Sequence, residues 1–181
     1  MIIKKTYIDN LFIIEPQLFE DERGFFYESY NKNKLEKIIK TNFIQDNHSR
    51  SIKGVIRGLH FQKAPYAQSK LVRCVLGKIL DVIVDIRKNS RTFGKTFSVE
   101  LSSQNKKQLF IPKGFAHGFQ VLSDEAIVNY KVDEYYNPEA EGGIIWNDKD
   151  LLIKWDQTIE PIISEKDLKL NTFNNLKFPI N

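Results

Sequence analysis

Most of the chain alternates between apolar and polar residues with the two-residue period of β-strands. Eight short segments are rich in Val, Ile and Phe and are separated by turn residues; they span residues 12–19, 55–62, 70–77, 78–87, 96–102, 107–112, 117–123 and 126–135. A helical pattern is confined to residues 32–40 and to the tail after Ser164, where Ser-x-x-Asp is typical of a helix start. Many short strands with few helices predict an all-β sandwich or barrel.

The segment Leu-Gly-Lys-Ile at residues 76–79 predicts a two-residue hairpin turn with Gly77 at its first central position. Because cross-strand partners share a face, this hairpin would pair Cys74 with Asp81, Val72 with Ile83, and Lys70 with Asp85. Buried charges are costly without partners, so a face that mixes Lys70, Asp81 and Asp85 with apolar side chains has two interpretations. It is a salt-bridged surface, or it is a polar pocket inside a barrel.

Length and composition favour one soluble domain over residues 1–181. The chain is 41% hydrophobic and 28% charged, and it has no apolar run near the ~18 residues of a membrane helix. The N-terminus lacks the pattern of a secretory signal and Cys74 is the only cysteine, so we expect a cytoplasmic protein without disulfides. The net charge of +4 is spread without a dense basic block, which argues against nucleic acid as a partner.

One motif raises the question of a metal site. Residues 112–117, Pro-Lys-Gly-Phe-Ala-His, match the second half of a cupin metal motif. The first half would need two histidines in His-x-His spacing and a following Glu, but the matching place reads His60-Phe61-Gln62. Two histidines without a nearby carboxylate cannot complete the usual ligand set, so we predict no bound metal.

Six segments, taken together and in order, resemble the dTDP-4-dehydrorhamnose 3,5-epimerase family. They are DERGFFYE (21–28), QDN (45–47), RGLHFQ (57–62), PKGFAHGF (112–119), Tyr130 with YYNP (135–138), and SEKD (164–167). The resemblance covers nearly the whole chain. It implies a cupin-like jelly roll with a few short peripheral helices, a nucleotide-sugar substrate, no cofactor, and a homodimer.

The implied reaction is removal and return of a proton at C3 and C5 of a 4-keto sugar, where each carbanion delocalises into the ketone. An imidazole titrates near neutral pH and suits this task, so His60 is the candidate base. By resemblance, Asp167 would orient His60, Lys70 would stabilise the enolate oxygen, and Tyr130 would donate a proton on the opposite face of the sugar. The other positions that match the family would bind substrate: Arg23, Phe26, Glu28, Gln45, Asp46, Asn47, Arg57, His117, Tyr136, Glu141 and Lys166.

Within this set, the guanidinium groups of Arg23 and Arg57 suit a pyrophosphate, while Glu28 and Tyr136 suit the thymine. Simpler roles stay open for several of these residues. His60 could be a hydrogen-bonded core histidine, and Asp167 could cap a helix that starts at Ser164. Further simple roles are packing for Tyr130 and Tyr136, a turn for Arg23, and structural support for Asp81 and Asp85.

Three other functions compete with double epimerisation. A relative could epimerise only C3 or only C5, or act on another nucleotide-linked 4-keto sugar, because pocket shape sets how the ring is handled. A sugar-nucleotide-binding cupin without activity is disfavoured because the base, acid and oxyanion residues are all present. A metal-dependent cupin oxygenase would require bound iron.

Overall fold

The computed structural model describes residues 1–176, which form two antiparallel sheets and a separate hairpin. The six-stranded sheet has the spatial order β1 (Ile2–Lys5), β2 (Phe12–Glu15), β10 (Gln108–Ile111), β7 (Lys70–Leu76), β12 (Glu125–Val132) and β5 (Gln45–Ile52). The five-stranded sheet has the order β13 (Glu141–Gly143), β6 (Ile56–Gln62), β11 (Phe115–Val121), β8 (Lys78–Asp85) and β9 (Thr96–Ser102). The hairpin consists of β3 (Phe19–Asp21) and β4 (Gly24–Phe26).

Helices are short and peripheral, as the sequence indicates. Helix α1 (Lys32–Leu35) occupies only the start of the predicted helical segment at 32–40, and helix α2 (Glu165–Leu168) follows Ser164. Two 3-10 turns lie at Pro138–Ala140 and Phe173–Asn175. Among residues 1–176, no helix has the length and apolar character needed to cross a membrane.

The main core lies between the two sheets, where inward-facing side chains of both interdigitate. The six-stranded sheet contributes Val72 and Leu109, and the five-stranded sheet contributes Ile83, Leu101 and Phe119. Because strands expose alternate side chains on opposite faces, each sheet also has an outer face that needs cover. The segment with Leu35 and Ile39 covers the six-stranded sheet, and the segment with Leu151 and Trp155 covers the five-stranded sheet. This two-sheet arrangement confirms the jelly-roll prediction.

The predicted hairpin at Gly77 is wrong. Strand β7 pairs with β10 and β12, whereas β8 pairs with β11 and β9, so Gly77 carries the chain from one sheet to the other. Gly77 has φ +75°, and a Cβ there would collide with the carbonyl oxygen of Glu125, so glycine is required at this corner. The predicted faces of Val72 and Ile83 are nevertheless right, since both side chains belong to the core between the two sheets.

Candidate active site

His60 and Asp167 form a hydrogen-bonded pair at the edge of the interior. His60 lies on β6, and its Nε2 is 2.8 Å from Asp167 Oδ1. The His60 side chain is 32% exposed and that of Asp167 only 6%. A carboxylate accepts hydrogen bonds only, so Nε2 carries the proton and Nδ1 keeps its lone pair. Within residues 1–176 that Nδ1 makes no hydrogen bond, which leaves a basic nitrogen on a half-exposed ring.

Asp167 is held in place by backbone donors. The Gly58 N–H donates to Asp167 Oδ2 at 3.2 Å, and Ser164 Oγ accepts from the Asp167 N–H at 3.1 Å. Ser164 is therefore the helix cap, and the Asp167 carboxylate is directed at His60. Burial alone would raise the pKa of Asp167, but the hydrogen bond from His60, with the Gly58 and Ser164 contacts, lowers it below its usual value.

Lys70 and Tyr130 project from neighbouring strands of the opposite sheet. In the register of β7 and β12, Lys70 pairs with Val132 and Tyr130 with Val72, and Lys70 Nζ lies 6.0 Å from the centre of the Tyr130 ring. Burial lowers the pKa of Lys70 to about 8, although nearby negative charges oppose that shift. Burial also raises the pKa of the Tyr130 phenol, which keeps it protonated at neutral pH.

His117 and Asp81 form a second imidazole–carboxylate pair deeper in the fold. His117 on β11 lies opposite His60 on β6, and its Nε2 is 2.7 Å from Asp81 Oδ1 on β8. Both residues are buried. Burial lowers the pKa of His117, and the positive charge of Lys70 acts in the same direction, so this imidazole is neutral although Asp81 opposes the shift.

Two cavities of about 510 and 420 Å³ meet at His60, Lys70 and Tyr130, which line both. The larger cavity is also lined by Arg57, His117, Lys166 and Asp167, and the smaller one by Gln45, Asn47, Tyr136 and Glu141. Of the two interpretations of this face, the polar pocket inside the sandwich therefore applies to Lys70. Asp85 is separate from it, since its carboxylate accepts hydrogen bonds from Arg87, Ser90 and Thr92.

At the mouth of these cavities, polar side chains form a connected network. Lys166 Nζ is 2.7 Å from both carboxylate oxygens of Glu141, and the Tyr136 hydroxyl donates to Glu141 Oε2 at 2.8 Å. Nearby, Arg57 Nε donates to Ser51 Oγ at 2.9 Å. The remaining donors of Arg57 and Lys166 lie beside the larger cavity, where an anionic group would meet two cations.

Four predicted binding residues lie outside both cavities. Arg23 is exposed at the tip of the β3–β4 hairpin and pairs with Asp21, and Phe26 is 66% exposed on the same hairpin. Glu28 pairs with Lys34. Asp46 faces away from its neighbours Gln45 and Asn47 and pairs with Lys131.

The predicted site residues do not include two groups that belong to this region. Ser49 lies on β5 and lines the larger cavity. The period of two that places Gln45 and Asn47 on one face would also have selected Ser49 and excluded Asp46. For Asp81 the sequence indicates only structural support or a place in a polar pocket, because its contact with His117 joins two strands distant in sequence. Among residues 1–176, no group of three or more His, Cys, Asp or Glu side chains is arranged to hold a metal ion.

Comparison with known proteins identifies the family. The sequence profile described as dTDP-4-dehydrorhamnose 3,5-epimerase matches residues 5–175. The dTDP-4-dehydrorhamnose 3,5-epimerase of Escherichia coli (strain K12) is 54% identical over 178 residues, which cover 97% of this chain and 96% of the relative.

Solved structures give the same result. The dTDP-4-dehydrorhamnose 3,5-epimerase of Elizabethkingia anophelis NUHP1 matches with a TM-score of 0.93 and 49% identity, over 98% of this chain and 99% of that one. The dTDP-6-deoxy-D-glucose-3,5-epimerase of Legionella pneumophila Philadelphia 1, solved in complex with dTDP-4-keto-L-rhamnose, matches with a TM-score of 0.93 and 48% identity, over 97% and 94% of the two chains. This chain therefore belongs to the dTDP-4-dehydrorhamnose 3,5-epimerase family.

Proposed function

We propose that the protein converts dTDP-4-dehydro-6-deoxy-D-glucose to dTDP-4-dehydro-L-rhamnose by inverting C3 and C5, without a metal or redox cofactor. One observation carries this proposal. His60 and Tyr130 project from opposite sheets into the same pair of cavities, with Lys70 beside the phenol. Inversion requires a base on one face of a carbon and a proton donor on the other, and this arrangement supplies both.

In this mechanism, His60 Nδ1 removes the proton next to the ketone while Asp167 stabilises the imidazolium that forms. Charge develops on the ketone oxygen as the carbon loses its proton. The ammonium of Lys70 stabilises that oxygen in a partly desolvated site, where electrostatic interactions are stronger than in water. Tyr130 then donates its phenolic proton to the opposite face of the carbon.

Substrate binding uses the two cations beside the larger cavity. Arg57 and Lys166 bind the diphosphate, and His117 accepts a hydrogen bond from a sugar hydroxyl. Tyr136 and Glu141, with Gln45 and Asn47, contact the nucleoside part from the smaller cavity. Support for this division is the position of each side chain along the two cavities.

We further propose that the protein is a cytoplasmic homodimer in which a partner's hairpin completes each site. The β3–β4 hairpin carries Phe19, Phe25 and Phe26, which are 54%, 57% and 66% exposed and unusual for a free surface. Its tip carries Arg23, which lies outside the cavities of its own chain. A second copy of the chain would bury these aromatic rings and bring Arg23 to the nucleotide.

Mixing two inactive variants tests this arrangement. An R23A subunit keeps its base, and an H60A subunit keeps its arginine. If Arg23 acts on the partner's site, subunit exchange between the two variants creates one site with both groups and restores activity. If both groups act within one chain, the mixture stays as inactive as its components, and light scattering that shows a monomer also refutes the proposal.

The function itself is tested by incubating the protein with the 4-keto sugar nucleotide in D₂O and following C3 and C5 by NMR. We expect exchange at both carbons together with inversion, and we expect His60→Ala to abolish exchange while nucleotide binding persists. Exchange at one carbon alone would assign a single-centre epimerase. No exchange with any 4-keto sugar nucleotide would refute an epimerase function.

A further inference from the structure

The deeper imidazole–carboxylate pair contains a charge that the proposed mechanism does not use. Asp81 is fully buried on β8, and only one of its oxygens, Oδ1, makes a hydrogen bond, to His117. The other oxygen, Oδ2, is buried without a hydrogen-bond partner among the described residues. Burial of a carboxylate oxygen without a hydrogen-bond donor costs free energy, so the presence of Asp81 at this position calls for a physical reason.

Several ionisable groups surround this carboxylate and the amine of Lys70. Asp81 lies near His117, Lys70 and Cys74, and burial with the Asp81 charge raises the pKa of Cys74 to about 11. Lys70 itself makes no hydrogen bond or ion pair within residues 1–176. The groups near Lys70 are Asp81 on β8, His117 on β11, His60 on β6, Tyr130 on β12 and Glu141 on β13.

We propose that Asp81 is a positioning residue for the epimerase reaction, because its buried charge keeps Lys70 protonated and its hydrogen bond fixes the tautomer of His117. This inference rests on the proposed function. Each imidazole of the site then has its own carboxylate: Asp167 orients the proposed base His60, and Asp81 orients the proposed substrate-binding residue His117.

The first effect is electrostatic. Lys70 must carry a positive charge to stabilise the enolate, yet burial favours its neutral form. Glu141 stabilises the charged form of Lys70 only weakly, because its carboxylate is already bound by Lys166 and Tyr136. Asp81 is fully buried and its Oδ2 has no hydrogen-bond partner among the described residues, so the attraction of its carboxylate for Lys70 is weakly screened.

The second effect is geometric. Because Asp81 accepts a hydrogen bond from Nε2–H, the neutral ring of His117 keeps its proton on Nε2 and has its lone pair on Nδ1. Within residues 1–176 this Nδ1 makes no hydrogen bond, and His117 lines the larger cavity. The ring is thereby an acceptor for a sugar hydroxyl, which it could not be in the other tautomer.

The variant Asp81→Asn separates these effects from simple structural support. It preserves volume and removes the charge. We expect kcat to fall on the order of 10²-fold with KM changed less than about threefold, as for the loss of one electrostatic stabiliser. Because burial lowers the pKa of Lys70 to about 8, we expect the kcat profile of the parent to fall on the alkaline side, and this limb should move to lower pH in the variant, since the charge of Asp81 opposes the effect of burial.

Asp85→Asn is the matched control. Asp85 is fully buried on the same strand, but its partners Arg87, Ser90 and Thr92 lie outside the two cavities. We expect it to lower Tm without moving the alkaline limb. If Asp81→Asn behaves in the same way, with lower Tm and an unmoved limb, Asp81 has only a structural role and the proposal is overturned.

The wild-type protein provides a second test that does not depend on a variant folding. The chain has three histidines, so ¹⁵N signals of the rings can be assigned with His48→Gln and His60→Ala. At pH 7 His117 should show a protonated Nε2 and an unprotonated Nδ1, and the reverse tautomer or a doubly protonated ring would contradict the proposal. Failure of the proposed function is distinguishable, because wild-type protein would then show no exchange in D₂O whatever the state of His117.

Discussion

Replacing Asp167 by Asn tests the central geometry, because the carboxylate makes a different contact with each oxygen. Oδ1 accepts from His60 Nε2 at 2.8 Å and Oδ2 accepts from the Gly58 N–H at 3.2 Å. An asparagine has one acceptor oxygen and an NH₂ group that only donates, so its oxygen can satisfy only one of these two donors. If its oxygen stays with Gly58, its NH₂ group faces His60 and donates to Nε2. The ring then has its proton on Nδ1, and Nδ1 can no longer accept a proton from the substrate.

The expected cost follows from what the carboxylate does in the reaction. Loss of the correct tautomer and of imidazolium stabilisation in a His–Asp pair costs up to about 10⁴-fold in kcat in serine proteases. Here His60 is 32% exposed, so water can partly solvate the imidazolium, and we expect a smaller loss of roughly 10³-fold. This corresponds to about 4 kcal/mol of transition-state stabilisation.

The assay is single-turnover exchange at C3 and C5 in D₂O, with nucleotide affinity measured by calorimetry. Asp148→Asn is a suitable control because Asp148 is also buried and accepts backbone hydrogen bonds from Asp150, Leu151 and Phe173, away from the cavities. It should reduce stability with little effect on exchange. An Asp167→Asn enzyme that exchanges within tenfold of the parent would refute an orienting role for the carboxylate.

Three further predictions concern the donor, the sheet corner and acid stability. Tyr130→Phe should still exchange deuterium into substrate but should yield less inverted product, because the base remains and the opposite donor is lost; NMR of the recovered sugars measures both. Gly77→Ala should cost at least about 1–3 kcal/mol in urea unfolding, because φ is +75° and the new Cβ would meet the Glu125 carbonyl. Burial would raise the pKa of Asp85, but hydrogen bonds from Arg87 and two hydroxyls lower it. The ionised Asp85 carboxylate therefore contributes its full stabilisation above the unfolded-state pKa near 4, and this contribution is lost as pH falls through the lower folded-state pKa. Asp85→Asn should accordingly lose less stability than the parent between about pH 5 and 2, as measured by urea unfolding.

Strand identity was largely predictable because most strands have apolar alternation, whereas strand pairing was not. The run from Lys70 to Asp85 resembles a hairpin locally, since a glycine separates two strands. Whether such a glycine turns the chain back or carries it to another sheet depends on what it meets, here Glu125 on a distant strand. Strand β5 was missed because Gln45–Ile52 is almost entirely polar and lies at a sheet edge.

The site was predictable to the extent that family motifs carry it. His60 and Asp167 are 107 residues apart, and no local pattern indicates that they touch. Periodicity alone could have shown that Asp46 and Gln45 face opposite sides of β5. The Asp81–His117 contact depends on the register of β8 against β11, which short-range pattern does not determine.

The order of elements along the chain bears on how the enzyme comes into being during translation. A ribosome makes every strand described above before it makes α2, because β13 ends at Gly143 and α2 begins at Glu165. His60, Lys70 and Tyr130 are thus present on a nascent chain whose imidazole still has no carboxylate. A chain that ends before α2 therefore lacks the carboxylate that the proposed mechanism requires beside His60, however well its sheets assemble.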